Sequence, residues 1–143
     1  MRKIVEILKK KGSHVEEVSP DTPVIDALRL MDEKNIGSVV VIKDGQYAGI
    51  LTERDYSRKV ILKGKNSAET TAKDIMSTDL PHLKPTDSID QCMQLMSNKH
   101  IRYLPVFDSG KLAGIISMSD VVNAIISNQK DTISHLESYI NSV

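Results

Sequence analysis

The chain has 143 residues and a mass of 15.9 kDa, which suits one compact domain or two very small intertwined ones. Its 19 Lys and Arg residues balance its 19 Asp and Glu residues, so the zero net charge argues against a broad nucleic-acid-binding surface. The single cysteine excludes an intrachain disulfide and a multi-cysteine metal site. No apolar run approaches the roughly 20 residues that cross a bilayer, and the Lys9–Lys11 run interrupts any signal-peptide core. We therefore expect a cytoplasmic protein with no membrane partner.

An internal repeat organises the chain. Residues 20–61 align without a gap with residues 85–126 at an offset of 65, and twelve of the 42 aligned positions are identical. Such self-similarity indicates two copies of one structural unit. We divide the chain into an N-terminal arm, repeat 1, a linker, repeat 2 and a helical tail, at residues 1–18, 19–63, 64–73, 74–130 and 131–143.

Both repeats predict the same series of elements from apolar periodicity and glycine turns: a short strand, a helix, two strands and a second helix. In repeat 1 these elements are predicted at residues 15–18, 24–31, 39–42, 48–52 and 54–62. In repeat 2 they are predicted at residues 81–83, 89–96, 104–107, 113–117 and 119–127. Asp and Ser residues before each first helix are candidate N-caps.

Neither repeat is large enough to form a good core alone. We therefore expect an α+β fold in which the two repeats pack sheet to sheet about a pseudo-two-fold axis. The tail predicts a helix that docks on the body or on a partner, because apolar residues recur at helical spacing: Ile133, Leu136, Tyr139 and Ile140. A homodimer is expected from a crowded apolar stretch: Val121, Val122, Ile125 and Ile126.

Both repeats end in the pattern G-I-x-[T/S]-x-x-D, at Gly49–Asp55 and Gly114–Asp120. With the preceding proline, a helix ending in Met and the L-P-V strand at Leu104–Val106, this pattern resembles the CBS domain, the cystathionine-β-synthase-type repeat. Two in tandem resemble a Bateman module of the small stand-alone type, although repeat 1 has Val39–Val41 in place of L-P-V. The resemblance covers residues 1–130. It implies adenosine-nucleotide binding in a cleft between the repeats, and dimers that form a flat disc of four repeats.

The duplicated motif also has residues that suit a nucleotide. Asp55 and Asp120 each follow a strand at the start of a helix, where an ionised carboxylate can accept both hydroxyls of a ribose. The hydroxyls of Thr52 and Ser117 lie three residues earlier, and the free N–H groups of a first helical turn favour a phosphate. The predicted nucleotide-binding residues are Gly37, Ser38, Thr52, Arg54, Asp55, Arg102, Tyr103, Leu104, Pro105, Ser117, Ser119 and Asp120.

Two arginines are placed unequally in the repeats. Arg54 lies within the motif of repeat 1, whereas Arg102 lies at the start of a strand in repeat 2, where repeat 1 has Gly37. Because the pseudo-two-fold axis would place the helix start of each repeat near the strands of the other, we expect one cleft to collect both arginines around a phosphate, whose oxygens suit the planar guanidinium. Asp120 is expected on the ribose. Gly37 and its neighbour leave room for a flat base, which Leu104 is expected to sandwich.

Other interpretations of the same residues stay open. Thr-x-x-Asp and Ser-x-x-Asp are also capping boxes that begin a helix, and Lys9–Lys11 is typical of a solvated helix end. The chain could be a structural dimerisation domain with degenerate pockets, or a small dehydrogenase or nucleotide hydrolase. We predict no enzyme, because the sequence shows no nucleophile–base pair and no Walker-type loop. The spacing of the histidines predicts no metal site, and Cys92 is predicted to be a core residue.

We therefore predict a regulatory module that senses energy or cofactor state by binding AMP or another adenosine ligand, such as ADP, ATP, NAD(H) or S-adenosylmethionine. Binding would change the conformation or oligomeric state, and a protein partner would respond to that change. The sequence leaves open which adenosine ligand binds, which protein responds, whether one or both clefts are filled, and whether the dimer is parallel or antiparallel.

Overall fold

The computed structural model describes residues 2–141, which form two compact units. Unit 1 combines residues 2–13 with residues 82–141, and unit 2 is the continuous segment 14–81. The N-terminal arm, which precedes repeat 1, thus completes the unit that holds repeat 2. In the same way, residues 72–81 complete the unit that holds repeat 1. Mixed helices and strands in tandem repeats confirm the predicted α+β class.

The structure has six α-helices and five strands among residues 2–141, with one π-helical turn, Ser57–Ile61, directly after the third helix. The helices are α1 (Ile4–Lys11), α2 (Val24–Lys34), α3 (Glu53–Tyr56), α4 (Ala72–Ile75), α5 (Ile89–Lys99) and α6 (Met118–Asn141). The strands are β1 (Glu17–Val18), β2 (Ser38–Lys43), β3 (Gln46–Thr52), β4 (Tyr103–Asp108) and β5 (Lys111–Ser117).

Each unit is built on one antiparallel hairpin, β2–β3 in unit 2 and β4–β5 in unit 1. Strand β1 pairs in parallel with β2, and Leu83 forms the equivalent parallel bridge to Val106 of β4. The predicted short strand of repeat 1 is therefore confirmed at Glu17–Val18, whereas the strand predicted at residues 81–83 is reduced to the single bridge at Leu83. The turn of the first hairpin has positive φ at Asp44 and Gly45, and the turn of the second has positive φ at Ser109 and Gly110. Positive φ at both central residues is expected for tight two-residue turns.

The first helix of each repeat extends a few residues beyond its predicted end and stops at a left-handed residue. Ser88 is the predicted N-cap of α5, since its side chain accepts a hydrogen bond from Gln91 N. The expectation of an Asp or Ser cap is wrong for α2, because Pro23 occupies that position and makes no side-chain cap. The hydroxyl of Thr22 instead accepts a hydrogen bond from Ser19 N at 3.1 Å.

The largest difference from the prediction lies at the C-terminal end. The second helix of repeat 2 and the tail were expected to be separate, but α6 is one helix from Met118 to Asn141, because no Gly or Pro interrupts it. Ser142 and Val143 of the predicted tail lie outside the described residues. Val121 is fully buried and cannot serve in the predicted dimer surface, whereas Val122 and Ile126 are exposed.

Burial places Cys92 in the core of unit 1, as predicted. Burial raises the pKa of its thiol to about 11, and the charge of Asp87 adds to the effect. The side chain therefore packs as a small neutral group. Within the described part of the chain, no helix is both long enough and apolar enough to cross a membrane.

The glycine of each G-I-x motif marks a close approach between a hairpin and another segment of its unit. A Cβ atom at Gly49 would lie 2.7 Å from the backbone oxygen of Ser77, which pairs with Ile50 on β3. A Cβ atom at Gly114 would lie 2.7 Å from Cδ2 of Leu8 on α1. The approach at Gly49 requires glycine because the neighbouring atom is backbone, whereas at Gly114 the neighbouring atom is the end of a flexible side chain.

We predict that Gly49→Ala destabilises the protein more than Gly114→Ala. The new methyl group at position 49 meets a hydrogen-bonded backbone oxygen, whereas at position 114 it meets the end of a flexible leucine side chain. We expect Gly49→Ala to lower the free energy of unfolding by about 1–3 kcal/mol. Urea denaturation of both variants checks this, and an equal or larger loss for Gly114→Ala would contradict it.

Candidate functional site

In each unit, the first residues of the hairpin lie beside the end of its second strand. Ser38 pairs with Thr52 in the sheet register, and Tyr103 pairs with Ser117. The backbone N–H of Glu53 donates to the Gly37 carbonyl at 3.1 Å, and Met118 donates in the same way to Arg102 at 2.8 Å. The antiparallel pairing therefore joins residues that lie far apart in sequence.

The predicted binding residues accordingly fall into two sets, one in each unit. The set in unit 2 is Gly37, Ser38, Thr52, Arg54 and Asp55. The set in unit 1 is Arg102, Tyr103, Leu104, Pro105, Ser117, Ser119 and Asp120. The two arginines that were expected to share one phosphate belong to different units, and both side chains are exposed.

Leu104 departs from the role expected of it. Its side chain is fully buried, so it has no free surface to offer an adenine ring, and Pro105 beside it is buried as well. Tyr103 is half-buried and lies opposite Ser117 in the hairpin. If a base lies at this end of the sheet, Tyr103 is the better-placed contact within unit 1.

Both motif aspartates take part in a capping box. In unit 2, Thr52 N donates to Asp55 Oδ2 at 3.0 Å, and Asp55 N donates to the hydroxyl of Thr52 at 3.0 Å. In unit 1, Ser117 N donates to Asp120 Oδ2 at 2.9 Å, and Asp120 N donates to the hydroxyl of Ser117 at 3.1 Å. The capping interpretation is thus confirmed for both motifs, and the reciprocal bonds fix each carboxylate at the start of its helix.

Each of these aspartates is also paired with a lysine. Lys59 Nζ lies 3.1 Å from Asp55 Oδ1 and donates to the carbonyl of Ile75 at 2.9 Å. Lys11 Nζ lies 2.7 Å from Asp120 Oδ2 and donates to the carbonyl of Ile115 at 2.9 Å. The carboxylates need these cations because the Asp55 and Asp120 side chains are only 12% and 22% exposed.

The sequence predictions missed both lysines, for different reasons. Lys59 lies four residues after Asp55, and this helical spacing could have indicated the ion pair. Lys11 was interpreted as part of a solvated helix end, but it forms an ion pair with Asp120, which lies 109 residues later in the sequence. No local pattern indicates a contact of that kind. Ser77, whose hydroxyl donates to Asp55 Oδ1 at 3.4 Å, was missed because it too comes from a distant segment.

A cavity of about 330 Å³ opens beside Asp120 in unit 1. It lies among α1, the first residue of α5 and the first turns of α6, and its lining residues are Arg2, Glu6, Ile7, Lys10, Lys11, Ile89, Asp120, Asn123, Ala124 and Ser127. Three of these side chains are cationic and two are anionic, and two of the cations, Arg2 and Lys11, form ion pairs with Asp131 and Asp120. Within residues 2–141, no three His, Cys, Asp or Glu side chains gather in a way that could hold a metal ion.

We predict that Lys59→Met destabilises unit 2 at neutral pH. The substitution leaves the largely buried Asp55 carboxylate without its cation and the Ile75 carbonyl without this donor. We expect a loss on the order of 1 kcal/mol in the free energy of unfolding, since Lys59 is itself partly exposed. Arg29→Met is the matched control, because the Arg29–Asp26 pair is exposed on both sides. Urea denaturation that gives equal losses for the two variants would contradict the prediction.

Comparison with known proteins gives consistent matches. The family model for the CBS domain matches residues 3–61 and 72–127. The CBS domain-containing protein CBSX3, mitochondrial, of Arabidopsis thaliana is 35% identical over 146 residues, which cover 96% of this chain and 71% of that protein. The solved structure of a protein with CBS domains from Burkholderia ambifaria is 40% identical, with a TM-score of 0.85, and the match covers 90% of this chain and 96% of that one.

An enzyme also matches, but over a small part of its length. The inosine-5′-monophosphate dehydrogenase of Thermoplasma acidophilum is 30% identical over 109 residues. The match covers 76% of this chain and 21% of that enzyme. Most of the dehydrogenase therefore lies outside the region of similarity.

Proposed function

The chain belongs to the CBS-domain family, and we propose that it is a regulatory module that binds AMP or a related adenosine nucleotide and signals this state to a protein partner. Pairs of CBS domains are commonly regulatory and ligand-binding in other proteins. The observation that carries the proposal is the arrangement found twice in the chain: a Ser or Thr hydroxyl, an aspartate and a lysine gathered at the start of a helix.

This arrangement has the chemistry that a nucleotide needs. A carboxylate offers roughly four acceptor positions, enough for Asp120 to hold Ser117 and Lys11 and to accept ribose hydroxyls as well. The ammonium of Lys11 and the positive end of the α6 helix dipole favour a phosphate nearby. Arg102, directly before the strand residue that pairs with Ser117, adds a guanidinium, and its planar shape matches phosphate oxygens.

The same geometry favours binding over catalysis. Each motif aspartate is held in one position by a capping box and an ion pair, which suits a fixed hydrogen-bond acceptor. We propose that the ligand acts by stabilising one conformation, so that the partner protein responds to a shift in population. Coupling of this kind is reciprocal, and the partner in turn changes the affinity for the nucleotide.

Titration calorimetry with AMP, ADP, ATP, NADH and S-adenosylmethionine tests the proposal. We expect a micromolar dissociation constant for at least one of them, or about −8 kcal/mol. Ligand at 100 times that constant stabilises the fold by about 2.7 kcal/mol, which a thermal shift also detects. If none of the five gives heat or a thermal shift at millimolar concentration, the chain is not a nucleotide sensor, and a structural dimerisation role becomes the better account.

We predict that Asp120→Ala weakens nucleotide binding by about 2–3 kcal/mol, or roughly 30- to 150-fold, because a charge-assisted pair of hydrogen bonds is lost. Asp55→Ala is expected to weaken it less. Both variants also lose a capping interaction that contributes about 1 kcal/mol to stability, so the titrations are made well below the unfolding temperature.

Asp90→Ala serves as the control for this comparison, since it removes an exposed carboxylate from α5 in the same unit. Its dissociation constant is expected to equal that of the unmodified chain. An unchanged affinity for Asp120→Ala, together with a large loss for Asp55→Ala, would assign the nucleotide to the residues of unit 2 instead.

A further inference from the structure

The second half of α6 projects from unit 1, to which the exposed Arg2–Asp131 ion pair of 2.9 Å links it. Every residue from 129 to 141 is exposed, although the helix is continuous from Met118. Isolated helices of roughly 12–15 residues or fewer are marginal in water. A helix of this kind gains most of its stability when an apolar face is covered.

Most of the exposed apolar residues of α6 lie in a narrow stripe, whose positions alternate at spacings of four and three and whose one polar member is Gln129. In heptad terms, the a positions are Ile126, Ile133 and Ile140, and the d positions are Val122, Gln129 and Leu136. The exposed fraction increases from 37% at Val122 to 69% at Ile140. This a/d stripe is the seam of a coiled coil, narrower than the face that a helix turns to a globular core.

We propose that α6 pairs with α6 of a second copy of this chain as a parallel two-stranded coiled coil. Isoleucine at all three a positions, with Leu136 at one d position, follows the pattern that favours two strands. A seam that pairs with itself gives the two-fold symmetric interface of most homodimers. With Tyr139 at a flanking g position, the exposed apolar side chains present on the order of 600 Å² per chain, at the upper end for a monomer surface. Two copies together approach the area of a stable interface.

Gln129 favours the parallel orientation. In a parallel pair, the two Gln129 side chains face each other across the seam, and their amides can exchange hydrogen bonds. In an antiparallel pair, an a position faces a d position, so Gln129 would lie against Ile133 or Ile140 with its amide buried and unpaired, which is costly. A single polar residue in an apolar seam is a known means of fixing register and strand number.

The flanking charges give weaker information on orientation. Lys130 and Glu137 both occupy e positions, and an antiparallel pair would bring them near each other. Both are exposed, and an exposed ion pair contributes little. The buried amide therefore decides the orientation.

The seam is continuous with the body of unit 1. It begins at Val122, next to the buried Val121 and two residues after Asp120. Parallel pairing thus places unit 1 of one chain beside unit 1 of the other.

The first test measures dimerisation of the full chain by sedimentation equilibrium. Ile133→Asp and Leu136→Asp each place a charge in the seam, and Ser134→Asp places the same charge at an exposed b position between them. We expect the dimer dissociation constant to increase at least 100-fold for the two seam variants and less than threefold for the control. A monomeric unmodified chain, or seam variants that dimerise as tightly as the control, would overturn the proposal.

The second test measures orientation by crosslinking with diamide, which oxidises a pair of thiols to a disulfide. Gln129→Cys places a thiol at a d position, where the two copies of a parallel pair meet, and Asn128→Cys places it at the outer c position. The buried Cys92 thiol does not compete. We expect a covalent dimer from Gln129→Cys alone. No crosslink, or equal crosslinking of the two variants, would overturn the parallel seam even if Ile133→Asp abolishes the dimer.

Discussion

In each unit, another segment of the chain packs closely against the second strand of the hairpin, and the rest of the structure depends on this contact. The strands are β3 and β5. A Cβ atom at Gly49 or Gly114 would lie only 2.7 Å from the segment packed there. Because glycine has no side chain, the residues around Ser77 can pack against β3, and helix α1 can pack against β5. The seating of α1 completes the core of unit 1 with Ile4 and Ile7. The same packing brings the ammonium group of Lys11 to the carboxylate of Asp120 at the start of α6.

In both units a motif aspartate is paired with a lysine, but the lysine comes from a different part of the chain in each. A carboxylate that caps a helix while mostly removed from water needs a nearby cation. In unit 2 the cation is Lys59, four residues after Asp55 in the helical segment that begins with α3. The Lys59–Asp55 ion pair can therefore form as soon as this segment is helical. In unit 1 it is Lys11, and the pair with Asp120 exists only while α1 is seated. The environment of Asp120 therefore depends on the position of the N-terminal arm. Asp55 takes its cation from four residues along the chain, and a second partner, the Ser77 hydroxyl, from a more distant segment of the same unit.

The sequence predicts the parts of the structure that local physics controls. Apolar periodicity locates α2 and α5, and the glycine turns locate both hairpins, whose registers then bring Ser38 to Thr52 and Tyr103 to Ser117. Lys11 was not predicted because its contact is made only in three dimensions. The length of α6 was missed for another reason: the repeat suggested an end near residue 127, but no helix-breaking residue occurs there. Leu104 was assigned to a ligand because nothing in a short apolar run distinguishes a fully buried side chain from a pocket wall.

The discontinuity of unit 1 has a consequence for how the chain folds during synthesis. Unit 2 is one uninterrupted stretch and can fold once residue 81 has left the ribosome. Helix α1 is made before the rest of unit 1, because the strands and helices it packs on lie between residues 82 and 141. At about 5–20 residues per second, α1 waits several seconds or more with Ile4 and Ile7 exposed. The charges of Lys9 and Lys10 beside this apolar segment oppose aggregation in that interval, as gatekeeper residues do.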